Sequence, residues 1–121
     1  MNEDQLSKTK RLIETAYKGF NSRDIDSVLP LMHPDIHWPK AFEGGYVVGR
    51  EAIRVYWIRQ WSEINPIVDP QFITNRGDGK IEVLVRQVVK GINGNLIFDG
   101  TVKHIYEIQD DLLLKMDIET N

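Results

Sequence analysis

The sequence predicts an α+β fold in which three helices pack against a curved antiparallel β-sheet. Apolar residues at helical spacing dominate the first half of the chain, whereas alternation of inward and outward residues dominates 81–119. The pair Asn93-Gly94 is a strong hairpin signal between two of the predicted strands. A chain that places its helices first and its antiparallel strands last has the order of an α+β fold. We expect the helices to pack in the concavity of the curved sheet, where the apolar faces of both are buried.

The helices are predicted from apolar spacing, capping residues and helix breakers. The first covers about 3–21, with Asn2 and Gln5 as an N-terminal capping pair. The second is short, because Pro30 kinks or shortens a helix, and its apolar residues are Ile25, Val28, Leu29 and Met32. The third opens at Gly49. Its apolar stripe consists of Ile53, Tyr56, Trp57, Trp61 and Ile64.

The strands are predicted from alternation and from the prolines and turn residues that bound them. A brief strand is expected at 36–38, because Pro34 and Pro39 on either side forbid a helix there. A flexible loop at 43–46, able to cover a cavity mouth, follows it. The remaining strands are expected at about 71–75, 80–90, 96–109 and 112–119.

Length and composition predict one domain spanning residues 1–121, with enough apolar residues (41%) for a core. The absence of Cys removes disulfides and thiolate chemistry. The net charge of -3, with scattered basic residues, disfavours nucleic acid and membrane surfaces as partners. A polar, acidic start without an apolar run predicts a cytoplasmic location. Small molecules and protein partners remain.

One predicted strand carries the chemical groups of greatest interest on its inward face. Val102, His104, Tyr106 and Ile108 lie on one side of this strand, and charged residues lie on the other. An inward imidazole is either a satisfied core group or a proton-transfer group in a cavity. Gln87, on the inward face of the preceding strand, needs a partner there or offers its amide to a ligand.

Three short stretches support a resemblance to a known family. They are Phe-Asn-Ser-Arg-Asp-Ile-Asp at 20–26, Met-His-Pro-Asp at 32–35, and Gly-Arg-Glu-Ala-Ile at 49–53. With them, the chain resembles the nuclear transport factor 2-like (NTF2-like) superfamily, and most of all its SnoaL-like branch related to ketosteroid isomerases. The resemblance covers about 6–119 and implies a cone-shaped α+β roll and a pocket for a small hydrophobic molecule. It also implies a homodimer formed through the outer sheet face, where Leu84, Val88 and Leu113 are expected.

The catalytic positions of ketosteroid isomerases are mostly not matched. Where those enzymes have a general-base aspartate, this chain has Lys40, and where they have a donor tyrosine on the first helix, it has Ala16. Tyr17 is one position along and about 100° round the helix, so this donor role is interpreted as vacant. The second donor position falls at His104 if one residue is gapped in the turn at 110–111, and at Lys103 if not. The alternation of charge favours His104, where SnoaL-like cyclases place an aspartate. The resemblance therefore argues against a strict ketosteroid isomerase.

Aromatic and long apolar residues are predicted to form the walls of the pocket. The alternative for each of them is that it is an ordinary core residue of a small domain. Trp57 and Trp61 are interpreted as core residues, and Lys40 as a group at the cavity mouth that binds a carboxylate or is simply solvated. The sequence predicts His104 and Tyr106 as catalytic residues and, as ligand contacts, Trp38, Lys40, Tyr56, Gln87, Met116 and Ile118.

No metal site and no cofactor are predicted. His33 and His37 are four residues apart, but Pro34 prevents a helix from placing both on one face, and no third ligand is evident. The sequence also lacks a Gly-rich phosphate loop and a Gly-x-Ser-x-Gly elbow.

Three functions remain open from the sequence. The first is a cofactor-free isomerase, cyclase or dehydratase that transfers protons on a hydrophobic carbonyl compound, with His104 as base or acid. The second is a non-catalytic ligand-binding or dimerisation module, which the missing aspartate and tyrosine favour. The third is a partner-docking domain, which has less support because the pattern contains no large exposed apolar groove.

Overall fold

The computed structural model describes residues 2–40 and 43–120. Its helices are α1 (Glu3–Asn21), α2 (Ile25–Val28) and α3 (Arg50–Glu63), with one 3-10 turn at Leu29–Leu31 after α2. Asn2 and Gln5 form the expected capping box at the start of α1. Within the described ranges, no helix has the length and apolar character needed to cross a membrane.

In the described residues the strands are β1 (Met32–Pro39), β2 (Tyr46–Val48), β3 (Ile64–Asn75), β4 (Lys80–Gly91), β5 (Leu96–Gln109) and β6 (Leu112–Thr120). These six form one mixed sheet. In spatial order they run β2-β1-β6-β5-β4-β3, and every neighbouring pair is antiparallel except β1 and β6, which are parallel. Three helices with a single sheet confirm the predicted α+β fold.

The long β4–β5–β6 meander is confirmed with bounds close to those expected. Gly94 in the β4–β5 turn has a φ of 86°, the left-handed conformation that makes Asn-Gly a hairpin signal. Asp110 and Asp111, which link β5 to β6, both have positive φ, at 55° and 61°. Two consecutive left-handed residues are the geometry of a type I′ turn, so β6 turns directly back onto β5.

The strands that contain prolines are longer than expected. β3 begins at Ile64, and includes Pro66 and Pro70, because it is an edge strand that pairs only with β4. β1 begins at Met32, which was assigned to the second helix, and Pro34 falls where the β1–β6 register shifts. The 43–46 loop prediction is wrong at its end, since Tyr46 begins β2, and residues 41–42 lie outside the described ranges.

The core lies between the helices and the inner face of the sheet. Ile13 and Tyr17 of α1 and Trp57 of α3 belong to one buried cluster with inward residues of β4, β5 and β6. Leu113 also lies in this cluster, fully buried, so its expected place on the outer face is wrong. The cause is a register shift in the β5–β6 ladder between Glu107 and Ile108, which turns Leu113 inward.

Candidate functional site

A cavity lies between α1, α3 and the inner face of the sheet. The cavity volume is about 50 Å³. Hydrophobic side chains make most of its wall. The lining residues with polar side-chain atoms are Tyr17, Trp38, Trp57, Gln60, Gln87, His104 and Tyr106. Within the described ranges no Asp, Glu, Lys or Arg lines the cavity.

His104 is buried at this wall, with 4% of its surface exposed. In β5 it pairs with Val83 of β4 and Ile118 of β6, both apolar. Burial lowers the pKa of His104 from 6.5 to about 4, because an apolar surrounding disfavours the imidazolium ion. His104 is therefore uncharged at neutral pH, which leaves one ring nitrogen as a hydrogen-bond donor and the other as an acceptor.

The partner of His104 is Tyr17, not the backbone carbonyl or Tyr106 expected for a core histidine. The Tyr17 hydroxyl lies 2.7 Å from Nδ1 of His104, and the bond is buried. Tyr106, two residues after His104 on the same face of β5, donates to the Tyr17 hydroxyl at 3.0 Å. Tyr106, Tyr17 and His104 thus form a continuous hydrogen-bonded triad in the cavity wall.

Both tyrosines of the triad are held in their protonated form. Burial raises the pKa of Tyr17 well above 10.0, and the neighbouring Tyr106 raises it further. Burial likewise raises the pKa of Tyr106, while its bond to Tyr17 works in the opposite direction. At neutral pH the triad therefore carries no net charge and has one proton on each hydroxyl and one on the imidazole.

The interpretation that α1 offers no tyrosine to this site is wrong. Both Ala16 and Tyr17 line the cavity, and the Tyr17 side chain is long enough to reach β5. The signal was present in the sequence. Tyr17 follows Ile13 by four residues and precedes Phe20 by three, so all three lie on the same buried face of α1.

Most of the predicted ligand contacts lie at the cavity, and two do not. Lys40 lies after the end of β1, where its backbone bonds to Gly44 and Gly45, and it is not part of the described wall. Tyr56 lines a neighbouring cleft instead, since it is one position before Trp57 and so points about 100° away round α3. The predicted contacts that do line the cavity are Trp38, Gln87, Met116 and Ile118.

Trp57 lies at the cavity wall, although its spacing alone suggested a core role. Its ring is fully buried and packs edge-on against Trp38, with ring centroids 5.3 Å apart. The indole Nε1 of Trp57 and that of Trp61 are buried without a hydrogen-bond partner among the described residues. An unpaired buried N–H is costly, so both indoles carry an unsatisfied donor in the core.

Comparison with protein-family models gives the family. Residues 13–114, which are most of the chain, match the model of the SnoaL-like domain. The chain belongs to the SnoaL-like family. The resemblance to SnoaL-like proteins is thereby confirmed. Among proteins of curated function, none matches the SnoaL-like chain in sequence.

Solved structures of the same fold cover nearly the whole SnoaL-like chain. TerC, crystallised with polyporic acid, is 21% identical, with a TM-score of 0.81 over 94% of this chain and 92% of its own. An NTF2-like protein from Burkholderia pseudomallei is 20% identical, with a TM-score of 0.78 over 94% and 91%. A Mycobacterium tuberculosis protein in complex with estradiol-17β-hemisuccinate is 14% identical, with a TM-score of 0.80 over 94% of both chains. At such identities the likeness is one of fold.

Proposed function

We propose that this SnoaL-like protein binds a small, mainly apolar, uncharged molecule with a carbonyl or similar acceptor, and transfers a proton within it without a cofactor. The reaction classes are isomerisation, cyclisation and dehydration. The observation that carries the proposal is the triad of Tyr106, Tyr17 and His104 in the wall of an apolar cavity. TerC with polyporic acid and the estradiol-17β-hemisuccinate complex, which have the same fold, support a small-molecule ligand.

His104 and Tyr106 are the proposed catalytic residues. Nδ1 of His104 is occupied by Tyr17, so the ring nitrogen left for the ligand is Nε2, which has no partner among the described residues. A neutral imidazole at this place acts through Nε2 as a proton acceptor or as a hydrogen-bond donor to a carbonyl oxygen. Tyr106 and Gln87 supply further polar groups at the wall.

The proposed ligand is uncharged because the described wall offers no opposite charge. A carboxylate or an ammonium group in this cavity would lose its hydration without gaining an ion pair, which is strongly unfavourable. Trp38, Met116 and Ile118 are proposed as its apolar contacts. A strict ketosteroid isomerase is not proposed, since Lys40 stands where those enzymes have their aspartate base.

The second candidate function is a non-catalytic ligand-binding or dimerisation module. The observation that favours it is that His104 is buried and already bonded to Tyr17, as a satisfied core histidine would be. In this case a ligand enters the cavity and leaves it chemically unchanged.

A homodimer through the outer sheet face is part of the proposal, as is a cytoplasmic location. Phe72 of β3 and Ile97 of β5 are 69% and 49% exposed on that face. Phe72 pairs with Leu84 of β4, and Val88 lies further along the same side. Exposed apolar residues on adjacent strands of one face are typical of a protein interface.

The test is a thermal-shift screen of neutral ketones and hydrophobic acids, followed by an exchange assay in D₂O on each compound that binds. We expect neutral ketones to raise the melting temperature by several degrees, because a ligand at a hundred times its Kd stabilises by about 2.7 kcal/mol. Deuterium should then enter the carbon next to the carbonyl.

His104→Gln and the matched surface variant His37→Gln separate the two candidate functions. Exchange that is lost in His104→Gln but kept in His37→Gln supports catalysis. Binding without exchange in the wild type supports the non-catalytic module. If no ketone binds the wild type, the proposed ligand class is wrong.

A further inference from the structure

The middle hydroxyl of the triad has two neighbours and one proton. Tyr17 lies 2.7 Å from Nδ1 of His104 and 3.0 Å from the Tyr106 hydroxyl. A phenol donates one hydrogen bond, and a buried O–H left unpaired is costly, so Tyr17 donates to one of the two and accepts from the other. All donors of the triad therefore point the same way along it.

The triad consequently has two arrangements. In the first, Tyr106 donates to Tyr17, Tyr17 donates to Nδ1, and the imidazole proton is on Nε2. In the second, Nδ1 carries the proton and donates to Tyr17, and Tyr17 donates to Tyr106. His104 Nε2 is then an acceptor, and the Tyr106 proton is free to point into the cavity.

The two arrangements exchange the roles of the two ends. The first offers the cavity a donor at Nε2 of His104 and an acceptor at the Tyr106 oxygen. The second offers an acceptor at Nε2 and a donor at Tyr106. Both residues line the cavity, so a ligand can contact both ends. Both arrangements are uncharged and contain the same two internal hydrogen bonds.

An uncharged route matters here because the cavity disfavours ions. Protonation of His104 alone would create a buried imidazolium, and burial lowers the pKa of this group to about 4. Loss of a proton from Tyr106 alone would create a buried phenolate, and burial raises the pKa of this group. No charged side chain of the described wall offsets either ion.

We propose that Tyr106, Tyr17 and His104 act as a charge-neutral proton relay, in which Tyr17 is a positioning residue that couples the tautomer of His104 to the hydrogen bonding of Tyr106. The inference rests on the proposed function and deepens it. A carbonyl oxygen that accepts from Tyr106 selects the second arrangement, and this selection leaves the Nε2 lone pair of His104 available to the ligand as a base.

The proton transfer then balances without a net charge. The C–H bond next to the carbonyl breaks, and its proton bonds to Nε2 of His104. At the same time the Nδ1 proton passes to the Tyr17 oxygen and the Tyr17 proton passes to the Tyr106 oxygen. The Tyr106 proton passes to the carbonyl oxygen. The electron pair of the C–H bond becomes the C=C bond of an enol. Reversal, at the same or another carbon of the bound enol, returns every proton and restores the second arrangement.

The first test reads the ring nitrogens of His104 by NMR, with ¹⁵N-labelled histidine at pH 7 and without ligand. We expect Nε2 to carry the proton in the wild type. Tyr106→Phe removes a hydroxyl that has no hydrogen bond to His104. It should nevertheless replace the single tautomer of His104 by a mixture, because Tyr17 becomes free to accept from Nδ1. The ¹⁵N shifts of the two ring nitrogens should move toward each other.

Tyr46→Phe is the matched control, since the Tyr46 hydroxyl donates to Asp117, outside the triad. It should leave both ¹⁵N shifts of His104 unchanged. If Tyr17 does not couple the two ends of the triad, removal of the Tyr106 hydroxyl leaves the tautomer of His104 unchanged. Unchanged ¹⁵N shifts in folded Tyr106→Phe would overturn the relay, even if the cavity binds ketones.

A second measurement uses the wild-type protein, in case Tyr106→Phe fails to fold. Acetophenone offers an acceptor, and α-methylstyrene has a similar shape without the oxygen. Saturating acetophenone should move the proton of His104 from Nε2 to Nδ1, and α-methylstyrene should not. If acetophenone binds and the tautomer of His104 stays unchanged, the relay is wrong. If acetophenone does not bind, the proposed ligand class fails. The ligand-free spectra of Tyr17→Phe, which should also lose the single tautomer, then decide the relay.

Discussion

Tyr17 of α1 and His104 of β5, 87 positions apart in sequence, meet through a buried hydrogen bond of 2.7 Å. This bond joins the first helix to the centre of the sheet and gives the side chain of His104 a hydrogen-bond partner. The same contact therefore bears on the stability of the fold and on the chemistry of the cavity, and the predictions below separate the two.

Tyr17→Phe should destabilise the protein. The substitution removes the hydroxyl between two buried groups, and it leaves Nδ1 of His104 and the Tyr106 O–H without a partner. Leaving a buried polar group unpaired costs about 1–3 kcal/mol. Urea denaturation at pH 7 measures the change.

The control for this prediction is Tyr46→Phe, whose hydroxyl is at the surface. Its free energy of unfolding should stay within about 0.5 kcal/mol of the wild type. In addition, Tyr106→Phe should cost less in the Tyr17→Phe background than alone, because its partner has already been removed. Equal costs in both backgrounds would contradict an energetically coupled triad.

The stability of the fold should fall in mild acid because of His104. The unfolded chain binds a proton at His104 below pH 6.5, whereas the folded state does so only below about pH 4. In this window the unfolded state binds more protons, so stability decreases as the pH falls from 6.5 to 4 and gains nothing from this group above 6.5. The loss at pH 4.5 should be about 2–3 kcal/mol.

Unfolding by urea at pH 7 and at pH 4.5 checks this prediction. The titratable groups in contact with His104 are Tyr17 and Tyr106, both uncharged over this range. The difference between the two pH values should therefore shrink by about 2–3 kcal/mol in His104→Gln and hardly change in the surface variant His37→Gln. An equal pH effect in the wild type and His104→Gln would mean that the histidine charges in the folded state.

Much of the fold is readable from the sequence because its signals are local. Asn93-Gly94 defines one turn, and the alternation after Val102 gives β5 its inward face, so His104 and Tyr106 are placed correctly on it. Edge position is not a local property. The extension of β3 through Pro66 and Pro70 could not be predicted without knowing that β3 has only one neighbour.

The candidate site was less predictable, since it depends on contacts between distant residues. Matching α1 to the isomerase pattern position by position assigned the donor place to Ala16, although helical periodicity already put Tyr17 on the buried face. Lys40 was placed at the cavity by the same matching, and Tyr56 by its apolar stripe. A stripe on a helix does not tell which of two adjacent clefts a residue lines.

The cavity should discriminate ligands by charge. Acetophenone and benzoate have the same ring and similar size, but benzoate carries a negative charge for which the described wall has no partner. We expect acetophenone to bind at least about tenfold more tightly, which corresponds to about 1.4 kcal/mol. Isothermal titration calorimetry at pH 7 measures both. Tighter binding of benzoate would show that a cation reaches the ligand and would contradict a neutral site.

The outer sheet face should carry the dimer contact. Phe72 is 69% exposed beside Leu84, so replacing it by Ser removes apolar area from this face without opening a hole in the core. We expect Phe72→Ser to weaken a homodimer at least about tenfold in sedimentation equilibrium, since loss of a buried aromatic contact costs more than 1.4 kcal/mol. Ile58→Ser is the matched control, because Ile58 is 56% exposed on α3, away from the sheet face. A dimer that is weakened by Ile58→Ser and not by Phe72→Ser would place the interface on the helix side instead.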